Sequence, residues 1–303
     1  MMRWLAVWLI WATPAFAEIE AEFATFVQEF GIGPASLTLM RPDGSVLVDT
    51  AVGQGADAAA PILSISKTLA GACTLHAEQM DRVALEDTVG DYLGWEGPAG
   101  EATLAQLLTH SSGYRPDRTQ RDYLGRFLSQ PARIEKIIER RRTSDRGNLS
   151  YFYNNENFIV LEAVLTAALG TPALDWCLRE TPSLAKMESL RRAEGYDAIG
   201  LAGGLAVQTR ELAAFMHALA PDDTWPTADV DDGIVYGPGV VLVKGRLVHR
   251  GGMCLITGWG HGAIAAKDSR GWSIGFTYTG CPSPKAEAAL QAILDAAVAR
   301  ETP

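Results

Sequence analysis

A chain of 303 residues with 48% hydrophobic and 20% charged residues has ordinary globular composition and is long enough for one large domain or two smaller ones. Its net charge of −10, with no long basic stripe, argues against a nucleic-acid partner. Five histidines without an i, i+4 pair and four cysteines without C-x-x-C argue against a metal site, and nothing in the sequence asks for a cofactor.

Met1-Met2-Arg3 precedes an apolar stretch from Trp4 through Ala12, and Ala15-Phe16-Ala17 follows. A basic start, an apolar segment too short to span a bilayer and an A-x-A site predict a secretory signal, residues 1–17, cleaved after Ala17. The product is then expected to be secreted or periplasmic, with no membrane contact once the signal is gone. Cysteines pair in such a compartment, and four allow three connectivities. Cys254 with Cys281 is favoured because the two flank predicted strands of a C-terminal sheet; Cys73 with Cys177 has no independent support.

Residues 18–30 read as a helix and 35–40 as a strand, with Arg41-Pro42-Asp43-Gly44 as a turn and 45–49 as the returning strand. A helix runs from the Ser64 region to about residue 80. From 86 to 220 the pattern is mostly helical, with loops at 94–100, 113–120 and 143–148. Past Pro238 the period shortens: 239–244 and 246–250 form a hairpin across Lys244-Gly245, and 262–267 pairs with 272–278. A helix over 284–300 ends the chain. Strands at both ends and helices between them predict an α+β fold, with one antiparallel sheet built from both chain ends, N- and C-terminal helices flanking it, and an inserted, mainly helical lobe. Residues 18–303 are expected to form one domain, with the sheet lobe at 18–60 and 236–303 and the helical lobe at 61–235. A cleft between the lobes is the natural site.

Pro61-Ile62-Leu63-Ser64-Ile65-Ser66-Lys67-Thr68 leads into an apolar run. On a helix, Ser64 and Lys67 share one face at i and i+3, so an amine can take the proton that makes a serine hydroxyl nucleophilic. S-x-x-K marks such sites but is short, and Ser183-Leu184-Ala185-Lys186 matches it too. The charges after Ser183 predict instead an exposed helix with Ser183 near its N-cap. Arg140-Arg141-Arg142 reads as the solvated end of a helix. Trp225, Tyr236, Trp259, Trp272 and Tyr278 read as core or rim aromatics.

Tyr153-Asn154-Asn155 is the only Y-x-N and His249-Arg250-Gly251 the only H-x-G. With Ser64-x-x-Lys67 before them, they resemble the three signature elements of serine penicillin-recognising enzymes, in the group of class C β-lactamases, D-alanyl-D-alanine carboxypeptidases and related esterases. Leu107-Leu108-Thr109-His110-Ser111-Ser112-Gly113 and Ala202-Gly203-Gly204-Leu205 extend the resemblance, which spans about 35–279 and selects Ser64 over Ser183. It implies a β-lactamase/transpeptidase-like fold. Ser64 would form an acyl-enzyme beside Lys67, and Tyr153 would share the base work, its phenol made more acidic by the Lys67 ammonium. Asn155 would bond the substrate amide or Lys67, and His249, Arg250 and Gly251 would line the substrate strand. The backbone N–H groups of Ser64 and Gly252 would form the oxyanion hole. His110 is taken as structural, and His261 competes less well than His249 for a place in the site. Arg250 stands where the family usually offers a hydroxyl; a guanidinium there can bind a carboxylate, although strand alternation can turn it away.

The function this implies is an exported serine hydrolase acting on a D-alanyl peptide, a small ester or a related amide. Its partner is then a small-molecule or peptide substrate, and the oligomeric state stays open. True β-lactam turnover ranks lower, because no residue marks a deacylating water. A non-catalytic cell-wall peptide binder is the rival from another class.

Overall fold

The chain ends meet edge to edge: β1 (Ala35–Met40) pairs antiparallel with β11 (Ser273–Thr279), Ala35 lying opposite Tyr278 and Met40 opposite Ser273. The computed structural model describes residues 14–119, 131–255, 258 and 260–301. Around that pair stand β2 (Val46–Val52), β6 (Ala228–Asp231), β7 (Ile234–Tyr236), β8 (Val241–Val243), β9 (Arg246–Cys254) and β10 (Gly260–Lys267), in the order β2-β1-β11-β10-β9-β8-β7-β6. Every pairing is antiparallel. A smaller sheet joins β3 (Ala60–Pro61), β5 (Leu205–Val207) and β4 (Arg191–Arg192).

The described helices are α1 (Pro14–Glu29), α2 (Ser66–Gln79), α3 (Val89–Leu93), α4 (Leu104–Leu108), α5 (Pro131–Arg142), α6 (Asn155–Leu169), α7 (Ala173–Glu180), α8 (Gly200–Gly203), α9 (Thr209–Ala218) and α10 (Pro284–Glu301). α1 and α10 cover one sheet face, burying Phe23, Phe26, Leu290 and Leu294 against Leu37 and Phe276. A second core around Ile65, Leu69, Phe158, Leu161 and Leu212 joins the other face to the helices. Covered on both faces and paired on both edges, β1 is buried at all six positions, so its sequence is apolar or hydroxylated throughout rather than alternating.

The two-ended sheet and its helical insert are as the sequence predicts. The C-terminal part of the sheet, however, starts at Ala228: the hairpin of β6 and β7 turns at Asp232-Gly233, in an acidic, exposed segment whose polarity hides the strand pattern. Residues 182–186 form turns, so Ser183 starts no helix. The predicted strand 239–244 shortens to β8 because Gly239, at φ +73°, lies so close to the Lys67 carbonyl that a Cβ there would collide with it. The signal reading and Trp259 fall on residues outside or at the edge of the described chain; only from Pro14 on, within α1, is backbone described. Among the described residues no single helix is long and apolar enough to cross a membrane.

α2 is buried along most of its length, and a side chain at Gly71 would strike the Pro238 carbonyl, which explains its run of small residues. Cys73 of α2 is bonded to Cys177 of α7, and Cys254 to Cys281. The first bond closes a sequence separation of 104 residues and ties the central helix to the lobe around it. Cys73→Ala/Cys177→Ala is therefore expected to lower unfolding free energy by about 2–4 kcal/mol, read by denaturant titration. A Cys254→Ala/Cys281→Ala protein, losing a link across a separation of 27, is the comparison that should lose less.

Candidate active site

Ser64 lies in a single 3-10 turn, Leu63–Ile65, immediately before α2. Ile62, Leu63 and Ile65 anchor this turn in the core, and the turn has no side-chain cap. Leu63 holds φ +47°, a left-handed conformation that costs a branched residue about 1–3 kcal/mol and sits one residue before the hydroxyl. Ser66 accepts a hydrogen bond from the Leu205 N–H (3.2 Å), which fastens the turn to β5.

Lys67, on the first turn of α2, is fully buried. Its Nζ lies 3.4 Å from Ser64 Oγ and donates to Asn155 Oδ1 (2.8 Å) and to the Ala202 carbonyl (2.5 Å). Burial pushes the amine down from 10.5 to about 7, against a smaller opposing pull from the Asp117 carboxylate. A neutral amine has two N–H donors, and Asn155 and Ala202 take both. Its lone pair is then left for the Ser64 hydroxyl.

Tyr153 ends the loop before α6. Asn154 caps that helix, its Oδ1 accepting from the Glu156 N–H (2.8 Å), and this places Tyr153 over the nucleophile. The Tyr153 phenol lies beside Ser64, close enough to influence it electrostatically, and Lys67 Nζ lies 5.1 Å from its ring centroid. Burial raises its pKa, only partly offset by Ser64. This corrects the expected acidified tyrosine: Lys67 is itself desolvated and gives up its charge near neutrality, so little ammonium is present to acidify a phenol buried beside it.

Asn155 uses its amide nitrogen on Asp117 (2.8 Å) and its oxygen on Lys67, so of its two expected partners the structure shows the lysine. Asp117 also accepts from the Asn155 N–H (3.0 Å). The loop that presents Asp117 is fixed by Arg141, which is buried and donates to the Arg115 and Pro116 carbonyls while pairing with the buried Glu156. Arg140 pairs with the same carboxylate. The triple-arginine run does end a helix, but only Arg142 is solvated; Arg141 is buried and Arg140 is drawn onto Glu156. Asp117, Glu156 and Arg141 carry no local sequence signal, since a Pro-Asp turn and an arginine run look the same whether they face water or a site.

β9 pairs with β8 only from Arg246 to Val248; beyond that its edge packs against the Ser64 turn. Gly251 makes the approach possible, because a Cβ there would collide with the Ile62 carbonyl and stand 3.0 Å from Ser64 N. Gly252, next along the strand, has open space around it. His249 is buried against α2: its Nδ1 lies 2.7 Å from Thr68 Oγ1, and Thr68 donates to the Gly239 carbonyl (2.7 Å). Burial pushes it down to about 3, so the ring is neutral. It supports the floor of the site and is tied to protein on at least one nitrogen.

Arg250 is turned to the opposite face, where it pairs with Glu287 of α10, and its expected role in substrate binding is corrected. His110 is buried, accepts from the Asn154 N–H at Nδ1 (3.3 Å) and lies 4.4 Å, ring to ring, from Tyr153; burial holds it neutral. Among the described residues no three His, Cys, Asp or Glu side chains converge to hold a metal.

The Beta-lactamase family model matches residues 23–298. The chain belongs to that family. No curated protein matches it. Similar solved structures include the D-amino acid amidase from Ochrobactrum anthropi SV3 complexed with L-phenylalanine amide, at TM-score 0.74 and 16% identity over 95% of this chain and 99% of that one. The octameric penicillin-binding protein homologue from Pyrococcus abyssi gives 0.70 and 16%, over 91% and 76%. A D-stereospecific amidohydrolase from Streptomyces sp. gives 0.66 and 19%, over 90% and 98%. At these identities the likeness concerns the fold, and family and fold together support a serine hydrolase of this superfamily.

Proposed function

We propose that this member of the β-lactamase family is an exported serine hydrolase that acylates Ser64 with a D-alanyl peptide, a small ester or a related amide. The observation that carries the reading is Lys67 Nζ, buried and 3.4 Å from Ser64 Oγ, with the Tyr153 phenol beside both. A peptide-binding module has no use for a desolvated amine aimed at a hydroxyl.

The steps balance on these groups. Neutral Lys67 takes the Ser64 proton as Oγ bonds to the substrate carbonyl carbon. The oxyanion is held by the N–H groups of Ser64 and Gly252, where Gly251 lets the strand close on the turn; a donor of this kind is worth about 3–4 kcal/mol of barrier. As the carbonyl re-forms, the bond to the amine or alkoxide breaks, the leaving group takes a proton from the Tyr153 phenol, and Lys67 returns one to Tyr153. Water then repeats the sequence on the acyl-enzyme and releases Ser64. Asn155 and Asp117 hold Lys67 in place without touching the reacting carbon.

The D-amino acid amidase and the D-stereospecific amidohydrolase share this fold, which makes a D-amino acid amide the first substrate to try. Export belongs to the same reading: the basic and apolar start precedes an A-x-A site, and all four cysteines are paired, as suits an oxidising compartment. Mass analysis of protein recovered from the periplasm or medium should find Glu18 as the first residue.

The pH dependence tests the base directly. Below about 7 Lys67 is an ammonium with no lone pair for Ser64; above it the amine is free to accept. The acylation rate is therefore expected to rise with pH through about 7 and level off above, measured with a p-nitrophenyl ester across pH 5–9. His249, pushed down to about 3, stays neutral over that range and adds no second limb, and burial likewise pushes His110 down, away from that midpoint. A rate that is flat from pH 6 to 8, or that falls as pH rises through 7, contradicts the assignment.

A further inference from the structure

Beside the Ser64 turn lies a cavity of about 550 Å³ that the steps above do not use; Pro61, Arg191, Arg192, Tyr196, Ala206 and His261 line it. Pro61 pairs with Ala206, and Ala206 with Arg191, so the small sheet forms one wall three residues from the nucleophile. His261 forms the other. It lies opposite Met253 on β9, and strand alternation places it on the face of Ala263, whose partner Gly251 abuts Ser64. The cavity thus lies next to the segment that leads into the nucleophile turn and next to the strand paired with β9.

Glu194 apart, its polar side chains can all donate. Arg191 reaches only the Ser189 and Ala59 carbonyls, at 3.4 and 3.3 Å, and Arg192 only the Asp197 carbonyl, at 3.3 Å; neither has a carboxylate within 4 Å among the described residues. Glu194 also lines the cavity and brings one negative charge against the two positive ones. Tyr196 is 3% exposed, yet its hydroxyl has no hydrogen-bond partner among the described residues, and its ring is set edge-on to His261 at 6.1 Å. A buried unpaired hydroxyl in the same lining as two exposed guanidiniums whose hydrogen bonds go only to neutral carbonyls, in a chain of net charge −10, is the lining an anion would complete.

We propose that this cavity is a subsite for a carboxylate on the substrate, held by Arg191 and Arg192 with the Tyr196 hydroxyl as a further donor. The proposal rests on the hydrolase reading in assigning that carboxylate to the substrate, and it narrows the substrate class to D-amino acid derivatives with an acidic side chain. Binding to full-length Ser64→Ala protein tests it without turnover, by calorimetry with N-acetyl-D-glutamate and its side-chain amide, N-acetyl-D-glutamine. The acid is expected to bind about tenfold more tightly than the amide. That preference should vanish in Arg191→Gln/Arg192→Gln and shrink about threefold in Tyr196→Phe. Equal affinities, no binding of either compound, or a preference that survives Arg191→Gln/Arg192→Gln overturns the subsite. Acylation of wild-type Ser64 by a neutral fluorophosphonate reports on the hydrolase reading alone, so the failure of one is distinguishable from the failure of the other.

Discussion

Lys67→Met is expected to lower kcat about 10²- to 10⁴-fold, the range in which a positioned general base contributes. Methionine keeps most of the volume of the buried stem and removes the only amine within reach of Ser64 Oγ in the described structure. It also leaves Asn155 Oδ1 and the Ala202 carbonyl without a donor, so the thermal melt should be recorded beside the kinetics. Because the cost falls on the acylation step, kcat and kcat/KM should drop together. The residual activity should lose the limb near pH 7, since the group that titrates there has gone. A Lys67→Met protein that keeps both its rate and its pH profile shows that another base serves Ser64.

The second large effect is one of stability. Glu156→Gln leaves Arg141, 2% exposed, without its carboxylate, and removing one partner of a buried ion pair costs about 3–5 kcal/mol. For a chain of this size that corresponds to a fall in Tm of roughly 6–20 °C. The loss should also reach the chemistry, because Arg141 holds the Arg115 and Pro116 carbonyls and so the loop that presents Asp117 to Asn155. Replacing both partners together, as in Arg141→Met/Glu156→Leu, removes the uncompensated charge and should recover part of the stability while leaving the loop untethered and kcat low. A melt within about 2 °C of the wild type for Glu156→Gln contradicts this account of the loop.

How far the sequence reveals this site depends on the range of the interactions involved. The i, i+3 spacing of Ser64 and Lys67 is local, and the structure brings them together, although on a 3-10 turn followed by α2 rather than on one α-helical turn. The pairing of β1 with β11 follows from strands at the two ends of the pattern. Tyr153 reaches Ser64 across 89 positions of chain, which no periodicity predicts; only the resemblance to a family placed it. Arg250 shows the opposite case, where motif position suggested a site residue and the two-residue period of a strand turned it to α10. The charged network of Asp117, Arg141 and Glu156 was hidden because burial of charge is a tertiary property. The acidity of Tyr153 was misjudged for the same reason: sequence supplies a neighbouring lysine but not the desolvation that discharges it.

Mass spectrometry of the intact protein after treatment with a fluorophosphonate tests the central claim most directly, with Ser64→Ala treated in parallel. The account predicts one equivalent of adduct on the wild type, located on the peptide that carries Ser64, and none on Ser64→Ala. An unlabelled wild type, or an adduct that persists in Ser64→Ala, contradicts it.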